Sequence, residues 1–163
     1  MSWWSAKVRR FIRYFVGRVT PAERASLSSW LTPAQLVLFD SMHRADQRHG
    51  LDVAAALRVE RQTDPDLLLA GLLHDCGKGR DLRLWQRVGW SLAERYGRRV
   101  ERVLLRVPGF RPAFATMAAH AARSAELSLE AGCSAITAEL IRHQAEPVDD
   151  VLGRALLIAD QAN

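Results

Sequence analysis

The chain has 163 residues and a formal net charge of +5, with 48% hydrophobic and 25% charged side chains. That apolar content offsets the backbone entropy of a single folded domain, so a disordered chain is excluded and no second domain is required. No apolar run reaches the ~18 residues that span a bilayer. Arg9, Arg10, Arg13 and Arg18 also interrupt the N-terminal stretch that a signal peptide would need. Cys76 and Cys133 belong to no C-x-x-C pair, and the expected setting is the reducing cytoplasm, with peripheral membrane attachment left open.

Residues 3–19 place Trp4, Val8, Phe11, Ile12, Phe15 and Val19 at helical spacing between basic flanks. This stretch, residues 1–20, is expected to form a basic amphipathic helix ahead of a helical domain over 21–163. It could pack on the domain, self-associate or rest on anionic lipid. Thr32-Pro33-Ala34-Gln35 has the form of a capped helix start. The helix is expected to run through Leu36, Phe39 and Met42 to His49, with an interruption at Gly50. Thr63-Asp64-Pro65 opens an apolar helix that closes near Gly77. Further helices are expected over 84–105, 112–131, 134–144 and 148–160, punctuated by Gly97, Pro108-Gly109, Gly132 and Pro147. No alternating strand pattern occurs. The predicted fold is all-α, an orthogonal bundle of about six to eight helices.

Charge is unevenly distributed. Residues 1–50 carry a net +5 and residues 80–111 a net +6, while 51–79 carry −2 and 112–163 carry −4. Two basic stretches thus bracket the segment Leu72-Leu73-His74-Asp75-Cys76-Gly77-Lys78. There an imidazole and a carboxylate stand together where an apolar helix meets a glycine turn. Both groups are costly to bury unless they are paired or bound to a metal.

Around that pair the sequence resembles the HD superfamily of metal-dependent phosphohydrolases over about residues 35–160. His49, ahead of Val53-Ala54, resembles the family's first histidine. His74-Asp75 matches the central pair, followed by Gly77-Lys78 as in the His-Asp-x-Gly-Lys subgroup. Asp160, in Leu156-Leu157-Ile158-Ala159-Asp160, resembles the final aspartate. The resemblance implies an HD-type helical fold and a metal held by His49, His74, Asp75 and Asp160. His120 and His143 stand where some branches add ligands for a second ion, although many such members have a second histidine where this chain has Gln144. His43 lies six residues before His49, about 240° around a helix, and is placed outside the site.

Imidazole and carboxylate donors suit one or two divalent ions, with manganese, iron, nickel or zinc favoured and magnesium allowed. Such an ion acidifies water and polarises a phosphoryl oxygen. The expected catalytic residues are Asp75 and Lys78, with Asp75 as the bridging carboxylate if two ions are present. Lys78, Arg80, Arg83 and Arg87 are the candidate phosphate contacts. The expected function is hydrolysis of a phosphoester or phosphoanhydride in an anionic small molecule, a nucleotide being the favoured substrate. Two alternatives stand beside it. One is a non-catalytic metal- or nucleotide-binding sensory module. The other is a basic helical protein that binds nucleic acid or membrane through residues 1–19 and 80–111, and of these nucleic acid is the less expected partner.

Overall fold

The computed structural model describes residues 17–163. The helix expected over 3–19, with any lipid or self-association role, lies outside these residues except for 17–19, which are not helical. The described residues form nine α-helices and no strand, an all-helical bundle. In chain order these are α1 (Pro21–Leu27), α2 (Pro33–Ser41), α3 (Arg44–Val59), α4 (Pro65–Leu73), α5 (Leu84–Tyr96), α6 (Arg98–Leu104), α7 (Phe110–Glu130), α8 (Ala135–Arg142) and α9 (Leu152–Ala162), with a 3-10 turn at Cys76–Lys78 between α4 and α5. None is long and apolar enough to cross a membrane.

The starts of these helices follow local chemistry. Thr32 accepts from the Gln35 amide while the Gln35 side chain accepts from the Thr32 amide, the reciprocal capping box expected there. Thr20 and Glu23 form the same box at α1, a helix not among those expected from the sequence. Asp64 caps α4 through the Leu67 amide. At α9 one carboxylate oxygen of Asp149 accepts from the amides of Val151 and Leu152, at 2.8 and 2.6 Å.

The break expected at Gly50 falls elsewhere. The second helix ends at Met42, where the backbone turns extended, and His43 caps α3 by accepting from the Ala45 amide through Nδ1. Gly50, expected as a breaker, sits inside α3. A Cβ there would collide with the Leu72 carbonyl, so glycine is what lets α3 lie against the end of α4. The segment 84–105 divides into α5 and α6 at Gly97, whose φ of +78° suits glycine and ends a continuous helix.

The main core gathers Phe39, Leu57, Leu67, Leu72, Ile141 and Leu156, each at most 1% exposed. Burial of each such side chain stabilises by about 1.5–3 kcal/mol, so α2, α3, α4, α8 and α9 are bound into one body. A smaller cluster joins Leu82, Ala113 and Met117 to Trp90. Beside it, edge-to-face contacts of Trp85 with Phe110 at 4.6 Å and of Trp90 with Phe114 at 5.2 Å dock α5 on α7. The guanidinium of Arg87 grips both oxygens of buried Asp46, at 2.6 and 2.7 Å, and so ties α5 to the first turn of α3.

Candidate metal centre

Four elements deliver the polar residues singled out from the sequence. The close approach at Gly50 sets His49, on α3, beside His74 at the C-terminal cap of α4; the two rings meet edge to face with centroids 5.2 Å apart. Helix α9 buries Leu156 and Ala159 and carries Asp160 to the same place. His49 Nε2 lies 2.8 Å from Asp160 Oδ1, and His74 Nε2 lies 3.7 Å from that oxygen. One donor atom each from His49, His74 and Asp160 fall within 4.8 Å of one another, close enough to share a cation.

Asp75 extends this group toward α7. Its Oδ1 is 3.6 Å from His74 Nε2 and 3.7 Å from His120 Nε2. The 3-10 turn is pinned to α7 by the Gly77 amide, which donates to Ser124 Oγ at 2.8 Å, and by the Cys76 thiol, which donates to the Ser124 carbonyl. That attachment holds Asp75 against His120.

The orientation of the rings is set by the backbone. His74 Nδ1 stands 3.0 Å from the Gly71 carbonyl, and His120 Nδ1 stands 2.6 Å from the Met117 carbonyl. A carbonyl only accepts, so each Nδ1 donates and each Nε2 is the nitrogen turned toward the carboxylates, the one a metal would take. Gln144 supports the pair from behind by donating to the His74 carbonyl at 3.2 Å. In the sequence Gln144 marks only the place of a missing histidine. Nothing in its spacing marked this supporting role.

Burial and charge oppose each other at the carboxylates. Burial raises the affinity of Asp75 for a proton, but the Lys78 ammonium, followed by the charges of His74, His49 and His120, outweighs it and holds the carboxyl well below its ordinary range. At Asp160 burial is likewise outweighed, here by the hydrogen bond from His49 and by the charges of His74 and His49, so this carboxyl is also held low. The pKa of His120 is itself lowered, first by burial and then by the Lys78 charge, a shift toward the neutral form that a metal ligand needs. Two carboxylates held ionised beside three imidazoles gather hard and borderline donors in one recess.

The remaining candidates are distributed as follows. Lys78 Nζ pairs with Asp75 Oδ2 at 2.5 Å. Arg80 donates to the carbonyls of Asp40 and Ser41 at the end of α2, and Arg87 is engaged by Asp46, so both guanidinium groups brace the fold around α2 and α3. Arg83 is exposed at the start of α5. His143 is not brought into the three-ligand group: its ring is 40% exposed, and Nε2 lies 3.3 Å from Glu139 one turn back on α8. His43 serves as the cap of α3.

Comparison of the chain with models of known families, with curated proteins and with solved structures finds no match in any of the three.

Proposed function

We propose that this chain is an HD-type metal-dependent phosphohydrolase acting on a phosphoester or phosphoanhydride, with nucleotides as the favoured substrates. The observation that carries the reading is the convergence of His49 Nε2, His74 Nε2 and Asp160 Oδ1 on one point, with Asp75 Oδ1 adjoining. Imidazole and carboxylate donors fit a divalent ion such as manganese, iron(II), nickel or zinc. An ion there supplies a Lewis acid that acidifies water and polarises a phosphoryl oxygen.

The chain's own residues account for the rest of the proposed site. Asp75, ionised and nearly buried, holds negative charge beside His120. Lys78 spends one of its three donors on Asp75 and keeps others for a phosphoryl oxygen. Arg83, exposed at the start of α5, is the remaining candidate for a phosphate contact, because Arg80 and Arg87 are occupied. The position of His143 favours one ion over two.

Protein purified without chelator and without a nickel column should carry close to one equivalent of divalent metal by elemental analysis. His74→Ala and Asp75→Ala should lose that metal together with turnover of a nucleotide panel. Turnover that survives in both variants refutes the assignment. Stoichiometric metal with nucleotide binding but no product supports the second reading, a sensory module without catalysis, which the displaced His143 also favours.

A further inference from the structure

The hairpin of α5 and α6 stands apart from the main core. No residue of α6 is buried, and α5 buries only Gly89. Trp85, Val88, Leu92 and Tyr96 recur along α5 at helical spacing and form one stripe. Trp85 and Tyr96 remain 42% and 54% exposed, and Val88 is exposed to a similar degree. The Leu104 side chain lies next to Gly89, and the Gly109 carbonyl accepts from Gln86, so α6 and the turn after it run back beside α5. There Val103 and Val107 are exposed at 61% and 43%.

Arginines flank this apolar surface. Arg95 lies seven residues after Val88 and Arg99 four before Val103, spacings that put each on the same side of its helix as the valine, and Arg106 follows α6 in the turn just before Val107. Arg98 and Arg102 add charge at the edge. Among the described residues no ion pair engages Arg98, Arg99, Arg102 or Arg106, and Glu94 and Glu101 fall on other faces by the same spacing.

We infer that the α5–α6 hairpin is a docking surface for an anionic lipid bilayer. Three features specify that occupant. The aromatic side chains at the two ends of the α5 stripe are amphipathic, as at a membrane–water interface. The aliphatic valines between and beside them gain free energy at an acyl boundary and gain nothing from a phosphodiester backbone. The arginines bordering them complement acidic headgroups. The surface lies outside the metal-ligand group, so this inference is independent of the proposed catalysis, and Asp75→Ala leaves it intact.

The full chain should cosediment at low salt with phosphatidylcholine vesicles that contain phosphatidylserine and should remain in solution with phosphatidylcholine alone. Arg95→Gln/Arg99→Gln/Arg106→Gln should weaken partitioning roughly a hundredfold, at about fivefold per arginine. Val103→Asp should weaken it by at least tenfold, with the unfolding midpoint of each variant showing that the fold is kept. Absence of wild-type binding overturns the inference. So does binding that both variants retain, since attachment would then arise outside the hairpin. Binding of a duplex oligonucleotide at matching affinity, lost in the arginine variant and kept in Val103→Asp, makes the hairpin a nucleic-acid surface and also overturns it.

Discussion

Gly50→Ala tests how the site is assembled. In a helix interior alanine is favoured over glycine by about 1 kcal/mol, so the change should stabilise α3 if nothing touched it. At this position the new methyl would press on the Leu72 carbonyl oxygen, and it would also approach the Leu72 carbonyl carbon and Cα to 3.1 and 3.3 Å. These are backbone atoms in the last turn of α4, and no rotamer change can move them aside. Overpacking costs 1–3 kcal/mol, and a clash with backbone belongs at the upper end, so the net loss is about 2 kcal/mol. For a chain of this size that lowers the midpoint of thermal unfolding by about 4–8 °C. His49 is the neighbour of Gly50, and separating α3 from α4 draws it away from His74, so affinity for the proposed ion should fall as well. Thermal unfolding followed by circular dichroism, with and without added manganese, gives both quantities. A raised midpoint would show that the two helices do not meet at this residue and would refute the argument.

Three further outcomes are expected. Arg87→Met should cost about 3–5 kcal/mol in urea unfolding, because it leaves the Asp46 carboxylate buried without a partner, and Asp46→Leu/Arg87→Met should recover most of that loss. Glu23, hydrogen-bonded first by Arg48 and then by Thr20, has its pKa lowered from 4.5 to about 2. A depressed folded-state value means the stabilisation is present above pH 4.5 and lost as pH falls toward about 2. Glu23→Gln should therefore cost about 1 kcal/mol at neutral pH, with the difference vanishing over that acid window; a constant difference from pH 7 to pH 2 would contradict it. Burial pushes the Cys76 thiol up to about 12, which leaves it about a thousandfold less thiolate at pH 8 than a thiol of ordinary pKa. Alkylation by iodoacetamide should wait for unfolding, and prompt labelling of Cys76 in the native chain would count against that environment.

The helices were legible wherever a terminus carried its own chemistry. Thr32-Pro33 and Asp64-Pro65 begin α2 and α4 as read, because a cap and a proline act within four residues and need no tertiary partner. Thr20-Pro21 carries the same signature and begins α1. Gly50 misled because its reason lies 22 positions along the chain at Leu72, and periodicity carries no trace of such a contact. His49, His74 and Asp160 were singled out by the resemblance to the HD superfamily, and the structure brings one donor atom of each within 4.8 Å of the others. The duties of Arg80 and Arg87 could not be read, since an arginine held by carbonyls and one held by a phosphate look the same in sequence. His143 turns toward Glu139 for a local reason, a partner one helical turn away.

The two imidazoles of His74 and His120 share one feature: each is aimed by the carbonyl three residues earlier on its own helix. Their orientation is therefore inherited from main-chain geometry and depends on no other side chain. Substitution of the neighbours can change what surrounds the site, its volume or its charge, without turning either ring. These two rings therefore tolerate change around them as long as the last turn of α4 and the middle of α7 remain helical, whereas His49 and Asp160 hold each other and depend on how α3 and α9 pack.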